Sequence, residues 1–245
     1  MHTGITRTAI HRDHALVTPE SHVPLNVPGF DEAETIALVT RELGAGFAQY
    51  LVRGGDASRL APLGPEREYL WLVLDGAVTL DQGGKTQVLG VEDFAYLPPS
   101  QPWSIAGKGN FELLCFEKTY QPLPGVSLPK AVVQPLAAIP AEPFLGDEGA
   151  LLQVLLPDSP AYDWGVNVFR FAPGGTLPQV ESHFMEHGLY VLDGEGVYRL
   201  GEHWYPVLRG DAIWMGPYLL QWYAATGKTP TRYIYFKTMN RATHC

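Results

Sequence analysis

Glu181, His183 and His187 fall within seven residues of one another in QVESHFMEHGLYVLDGEGVYRL, residues 179–200, just ahead of an apolar, glycine-punctuated stretch. All three occupy odd positions. Residues two apart on a strand point to one face, so a strand over QVESHF projects Glu181 and His183 together. His187 keeps that parity and precedes the apolar run LYVL, close enough to turn onto the same interior. Two neutral imidazoles and one carboxylate are a ligand set that first-row divalent ions take, often with positions left open for substrate or oxygen. A histidine standing alone in a β protein is more often a hydrogen-bonded core or surface group. The cluster is what points to a metal.

Short strands must position such a cluster. Gly 26 and Pro 21 punctuate apolar stretches such as YLWLVLDG, FELLCFE, GLYVLDG and YIYFK, and helical periodicity is weak throughout the 245 residues. Closely spaced β segments with turn residues between them predict an all-β sandwich or barrel. An internal repeat divides the chain. EYLWLVLDGAVTL (68–80) and GLYVLDGEGVYRL (188–200) share an LDG turn, and an offset of 118 carries Gly76 onto Gly194 and Asp93 of DFAYLPP onto Asp211 of DAIWMGP. Two β-rich halves of one design are expected. The expected division is an N-terminal arm over 1–25, a first barrel over 26–125, a Pro-rich connector over 126–144 and a second barrel over 145–245. Prolines at 124, 129, 135, 140 and 143 exclude a regular helix in the connector and favour an extended path with edge-strand pieces.

Composition narrows the function classes. Hydrophobic residues at 46% supply a core, and a net charge of −9 without a basic run makes nucleic acid and anionic membranes poor partners. Cys115 and Cys245 are the only cysteines, which suits a reducing compartment and excludes a disulfide framework. The N-terminus lacks the apolar core of a signal peptide and no apolar run approaches the roughly 18 residues of a membrane span, so a soluble, cytoplasmic protein is expected. His2, His11, His14 and His22 are scattered through the first 25 residues. They read as belonging to a poorly ordered or surface-draped arm rather than to a metal site.

The segment around His183 resembles the first cupin motif, G-x5-H-x-H-x3,4-E-x6-G. Here it reads Gly175, five residues, Glu181, Ser182, His183, three residues, His187, six residues, Gly194. The spacing holds while the types are permuted, with Glu181 where the first histidine is usual and His187 where the glutamate is usual. The resemblance implies a bicupin: two tandem β-barrel or jelly-roll domains of the double-stranded β-helix type. The second cupin motif places one more ligand eleven residues after a glycine, and counting from Gly210 reaches Gln221. The implied metal set is Glu181, His183, His187 and Gln221. At the same offset the first half carries Leu63, Pro65, Tyr69 and Trp103, none of them a plausible divalent-metal ligand. One metal per chain is expected, with the first barrel structural or oligomerising.

The permuted ligand set is similar to that of the (S)-ureidoglycine aminohydrolases, manganese bicupins of purine-nitrogen recycling. The likeness runs from HALVTPES and NVPGF through ESHFMEHGLYVLDGEGVY and GDAIWMGPYLLQ to YIYFKTMNR. It implies hydrolytic loss of ammonia from ureidoglycine to give ureidoglycolate, with Mn2+ as the ion, ureidoglycine as the small-molecule substrate and a homo-oligomeric assembly. Pocket residues transfer by motif to Tyr198, Tyr233 and Lys237, the last two sharing strand parity. Lys237 is expected to pair with the substrate carboxylate or to assist proton transfer if burial lowers its pKa. Glu186, of opposite parity, Asp193, in a turn, and His203 are set aside. Two other classes remain open on the residues alone: an iron-dependent dioxygenase, which would consume oxygen, and a non-catalytic ligand-binding bicupin, which would bind without turnover.

Overall fold

The computed structural model of the chain describes residues 5–241, so His2 and Cys245 lie outside the described residues. Strands dominate because apolar residues recur at every second position. In the strand Arg67–Gln82, Tyr69, Trp71 and Val73 enter one buried cluster while Leu70 and Leu72 enter another. The strand Trp164–Phe171 behaves alike: Val166 and Val168 face one way, Phe169 and Phe171 the other. Three cores follow from this alternation, one inside each barrel and one between them. Leu70, Leu72, Phe94 and Phe116 meet Trp164, Val166, Ile234 and Phe236 in the shared layer. Each such side chain contributes about 1.5–3 kcal/mol on full burial, so the barrels pack face to face.

The first barrel is an antiparallel sheet ordered Val132–Pro135, Asp93–Leu97, Arg67–Gln82, Trp103–Thr119, Ala48–Leu60, Phe30–Val39, Pro24–Leu25, with Lys85–Leu89 paired to Arg67–Gln82. The second combines the order Ala9–Ile10, His14–Val17, Ala212–Met215, His187–Asp193, Thr231–Thr238, Trp164–Phe171, Asp147–Val154, Glu142–Phe144 with a three-stranded sheet, His203–Leu208, Glu195–Leu200, Gln221–Ala225. The architecture is all-β, as the sequence predicts. No helix among the described residues is long and apolar enough to cross a membrane.

The repeat extends to individual hydrogen bonds. Gly76 and Gly194 both take positive φ, 71° and 76°, in the LDG turn. Glu92 N–H donates to the Val73 carbonyl at 2.9 Å, and Gly210 N–H donates to the Val191 carbonyl at 2.9 Å. The carboxylates of Asp93 and Asp211 accept from Gly90 N–H and Leu208 N–H, each at 2.8 Å. Between the barrels, the Tyr96 hydroxyl donates to buried Glu68 at 2.5 Å, and Lys118 bridges Glu68 and Asp163.

Both ends of the first barrel exchange strands with their surroundings. His14–Val17, expected in a draped or poorly ordered arm, pairs instead with Ala212–Met215 in the second barrel's sheet. Arg7 anchors the arm through two hydrogen bonds, at 2.6 and 2.8 Å, to the buried Asp211 carboxylate. A pairing between residues some 200 positions apart has no local sequence signature. The connector supplies an edge strand to each sheet, Val132–Pro135 to the first and Glu142–Phe144 to the second.

Candidate active site

The segment QVESHF, expected as a strand, is irregular. Residues 178–186 contain no regular strand, only an isolated bridge between Glu181 and Gln221. Two backbone hydrogen bonds make that bridge, each 2.9 Å long, and the His183 carbonyl accepts from Tyr218 N–H at 2.7 Å. Ser182 Oγ–H donates to the Tyr218 carbonyl at 2.9 Å. These contacts, rather than a pleat, aim Glu181 and His183. His187 opens the strand His187–Asp193, whose alternation places Leu189 and Val191 inside the barrel and Tyr190 and Leu192 in the layer between barrels. Glu186, set aside for its parity, accepts from Trp214 Nε1–H at 2.7 Å and from Gly46 N–H, away from the barrel interior.

Glu181, His183, His187, Gln221, Tyr198, Tyr233 and Lys237 all line one cavity of about 190 Å³ inside the second barrel. Tyr233 and Lys237 come from Thr231–Thr238, which pairs directly with the strand that carries His187. Sequence reasoning missed Tyr235, Met185 and Phe144, which also form the wall. Tyr235 had a signal, since it shares parity with Tyr233 and Lys237. Phe144 had none, because the connector brings it from outside the motif. The Tyr235 hydroxyl accepts from Asn167 Nδ2–H at 2.9 Å, which fixes its direction.

Two imidazole nitrogens and an amide converge in the cavity. His187 Nδ1–H donates to the Phe236 carbonyl at 3.0 Å, an oxygen that can only accept. Burial lowers the pKa of His187 to about 3, so the ring is neutral and Nε2 carries a lone pair. That lone pair faces His183 Nε2 at 3.2 Å, and His183 Nε2 also faces the Gln221 amide nitrogen at 2.9 Å. If His183 Nε2 bears a proton it opposes the amide N–H; if it is bare it opposes the His187 lone pair. With the Gln221 amide nitrogen turned inward neither neutral tautomer serves both contacts; with the amide oxygen inward a protonated His183 Nε2 serves both. Burial also lowers the pKa of His183, so charging the ring is disfavoured. Two neutral imidazoles, a carboxylate and an amide oxygen that can turn inward line one cavity, a donor set that fits a divalent ion. The Gln221 oxygen now accepts from Tyr198 O–H at 3.3 Å, so ligation through oxygen requires the amide to turn over.

The cavity also holds a carboxylate and an ammonium that are not in direct contact. Burial raises the pKa of Glu181, with Lys237 pulling it down. Burial lowers the pKa of Lys237, with Glu181 and Asp158 opposing. A carboxylate that needs a cation and an ammonium that needs an anion are the pattern of a site built for charged ligands. The Tyr198, Tyr233 and Tyr235 phenols are pushed up by burial and stay neutral hydrogen-bonding groups. Among the described residues, the three His, Cys, Asp or Glu side chains whose ligand atoms all lie within 4.8 Å of one another are His11, His14 and His203, none of them on the cavity wall.

Known proteins match the fold and most of the chain. Residues 167–237, which contain most of this cavity, match the Cupin domain family. An (S)-ureidoglycine aminohydrolase of Arabidopsis thaliana is 40% identical over 97% of this chain and 80% of its own length. The (S)-ureidoglycine aminohydrolase of Escherichia coli (strain K12) is 33% identical over 94% of this chain and 90% of its own. The crystal structure of protein Ylba from E. coli superposes with a TM-score of 0.87 at 30% identity, covering 98% of this chain and 97% of that one. At these identities and coverages, the chain belongs to the (S)-ureidoglycine aminohydrolase family of cupin proteins.

Proposed function

We propose that this chain hydrolyses the C–N bond of (S)-ureidoglycine, releasing ammonia and leaving (S)-ureidoglycolate, with one divalent ion held by Glu181, His183, His187 and Gln221 in the cavity. The observation that carries the reading is the pair of neutral imidazoles facing Nε2 to Nε2 at 3.2 Å beside a half-buried carboxylate. The resemblance of the ligand set to that of manganese bicupins, and the availability of the ion, favour Mn2+. When bound, the ion supplies a Lewis acid with open positions, able to fix the substrate's carboxylate and a neighbouring heteroatom or to polarise water.

The protein's own groups set orientation. The reacting carbon bears a carboxylate, an amine and a ureido group, and Lys237 is the cation left in the cavity to pair with the carboxylate. Tyr198 and Tyr233, kept neutral, offer hydrogen bonds to the ureido group without introducing charge. Water adds to the carbon as its bond to the amine breaks, and one water proton leaves on that nitrogen, so a hydroxyl replaces the amine and ammonia departs. The Phe236 carbonyl holds the His187 ring in the tautomer that leaves Nε2 free. The first barrel, over residues 26–125, serves as a metal-free packing partner, with an arm over 1–25 and a connector over 126–144. A cytoplasmic homo-oligomer is the setting we assign, on the reducing cysteine usage and the exposed sheet edges.

The test is ammonia release from freshly generated ureidoglycine by manganese-loaded protein, against the spontaneous rate. Enhancement that disappears in His183→Ala supports the reading. No enhancement, or equal enhancement in the variant, sinks it. Oxygen uptake in the same assay would instead support a dioxygenase.

A further inference from the structure

The N-terminal arm brings two histidines to a third one nearly 190 residues away. His11 and His14 flank the turn between Ala9–Ile10 and His14–Val17, and His203 opens the strand His203–Leu208. The His11 and His14 rings stack at 4.4 Å, and His203 lies 4.4 Å from His11 and 5.4 Å from His14. One nitrogen from each ring lies within 4.8 Å of the other two. Three imidazoles from two chain segments thus converge without any part in the cavity described above.

The Asp13 carboxylate, 2.9 Å from His14 Nδ1, can only accept, so that nitrogen carries the proton and a neutral His14 presents a bare Nε2. Carboxylate support behind one ring nitrogen is the arrangement that orients a metal-binding imidazole. His14 is buried and burial lowers its pKa, which favours the neutral ligand form. The Tyr205 hydroxyl lies 3.0 Å from His14 Nε2 and 3.1 Å from His11 Nε2, so it donates to the bare His14 nitrogen and accepts from His11, and an ion at the cluster takes the place of that hydrogen bond. His203 is exposed, so the cluster is open to solvent on one side.

We propose that His11, His14 and His203 form a second divalent-metal site, selective for borderline ions such as Zn2+, that staples the N-terminal arm to the second barrel. Three imidazoles with an open position suit Zn2+ or Cu2+ better than the harder Mn2+. The site reaches the cavity wall through the sheet. His14 pairs in register with Met215, and Met215 pairs with His187. An ion on the cluster therefore fixes the neighbour of a strand that lines the cavity. The proposal does not depend on the activity assigned to that cavity.

Untagged protein carrying His183→Ala, which weakens the cavity site, isolates the question. Zn2+ is titrated against a chromophoric chelator, and thermal unfolding is followed with and without the ion. The proposal expects one tightly held Zn2+ that is lost when His203→Gln or His11→Gln is added, both at accessible positions that leave the fold intact by circular dichroism. It also expects a Zn2+-dependent rise in Tm of roughly 5 °C or more at saturation, abolished by the same substitutions. Zn2+ retention and Tm shift unchanged by both substitutions would overturn it, as would a His183→Ala protein that takes no Zn2+ at all.

Discussion

In the first barrel the positions equivalent to Glu181, His183, His187 and Gln221 hold Leu63, Pro65, Tyr69 and Trp103. Three of these still converge. Leu63 N–H donates to the Tyr69 hydroxyl at 2.8 Å, and the Tyr69 ring meets Trp103 edge-on at 4.9 Å, both rings buried. The second barrel gathers the same backbone positions around a cavity instead, with two imidazoles meeting Nε2 to Nε2 and a carboxylate and an ammonium that burial works against. The barrel supplies convergence, and the side chains decide whether the centre is packed or chemical. Filling the first centre with aromatics adds burial and dispersion, which a chain holding several desolvated polar groups in its other half can use.

Substitutions in the two centres should separate these roles. The largest effect is expected for His187→Ala, which removes a ligand: activity per folded chain falls on the order of a thousandfold or more, and the cavity ion is lost. Steady-state kinetics with elemental analysis reads both. Trp103→Ala should do the opposite, destabilising the fold by about 3–5 kcal/mol in denaturant unfolding while leaving kcat of the folded protein intact. Lys237→Met comes next. Loss of a charge-assisted contact worth about 1.5–3 kcal/mol lowers kcat/KM roughly 10- to 100-fold, mostly through KM if the ammonium holds the substrate carboxylate. Tyr198→Phe, which removes the hydroxyl on Gln221, should weaken metal affinity about tenfold in a competitive titration.

The smallest effect is one of pH. His187 has a folded-state pKa of about 3 against 6.5 when unfolded, so between those values the unfolded chain binds more protons. Stability of metal-free protein therefore falls as pH drops through 6.5, by about 1 kcal/mol from pH 6.5 to 5.5. His187→Tyr, which installs the first barrel's residue, should flatten that slope in urea titrations at several pH values.

The repeat, the strand alternation and the shared face of Tyr233 and Lys237 were legible because period-two patterning and turn glycines are local features. Gln221 was legible only by counting along a motif, since nothing nearby distinguishes it from an ordinary strand residue. The strand expected over QVESHF failed. Its backbone is held by Gln221 and Tyr218, partners that no local pattern announces. The arm failed for a related reason, because the strand that His14–Val17 joins lies some 200 residues on. What remained hidden was the tautomer of His187, which depends on the direction of a single carbonyl, that of Phe236.

The division of labour between the barrels is tested most directly by anomalous diffraction at the manganese edge from crystals grown with Mn2+. A peak between His183 and His187, and none among Leu63, Tyr69 and Trp103, is the predicted result. An empty second cavity, or a peak in the first barrel, would contradict the account.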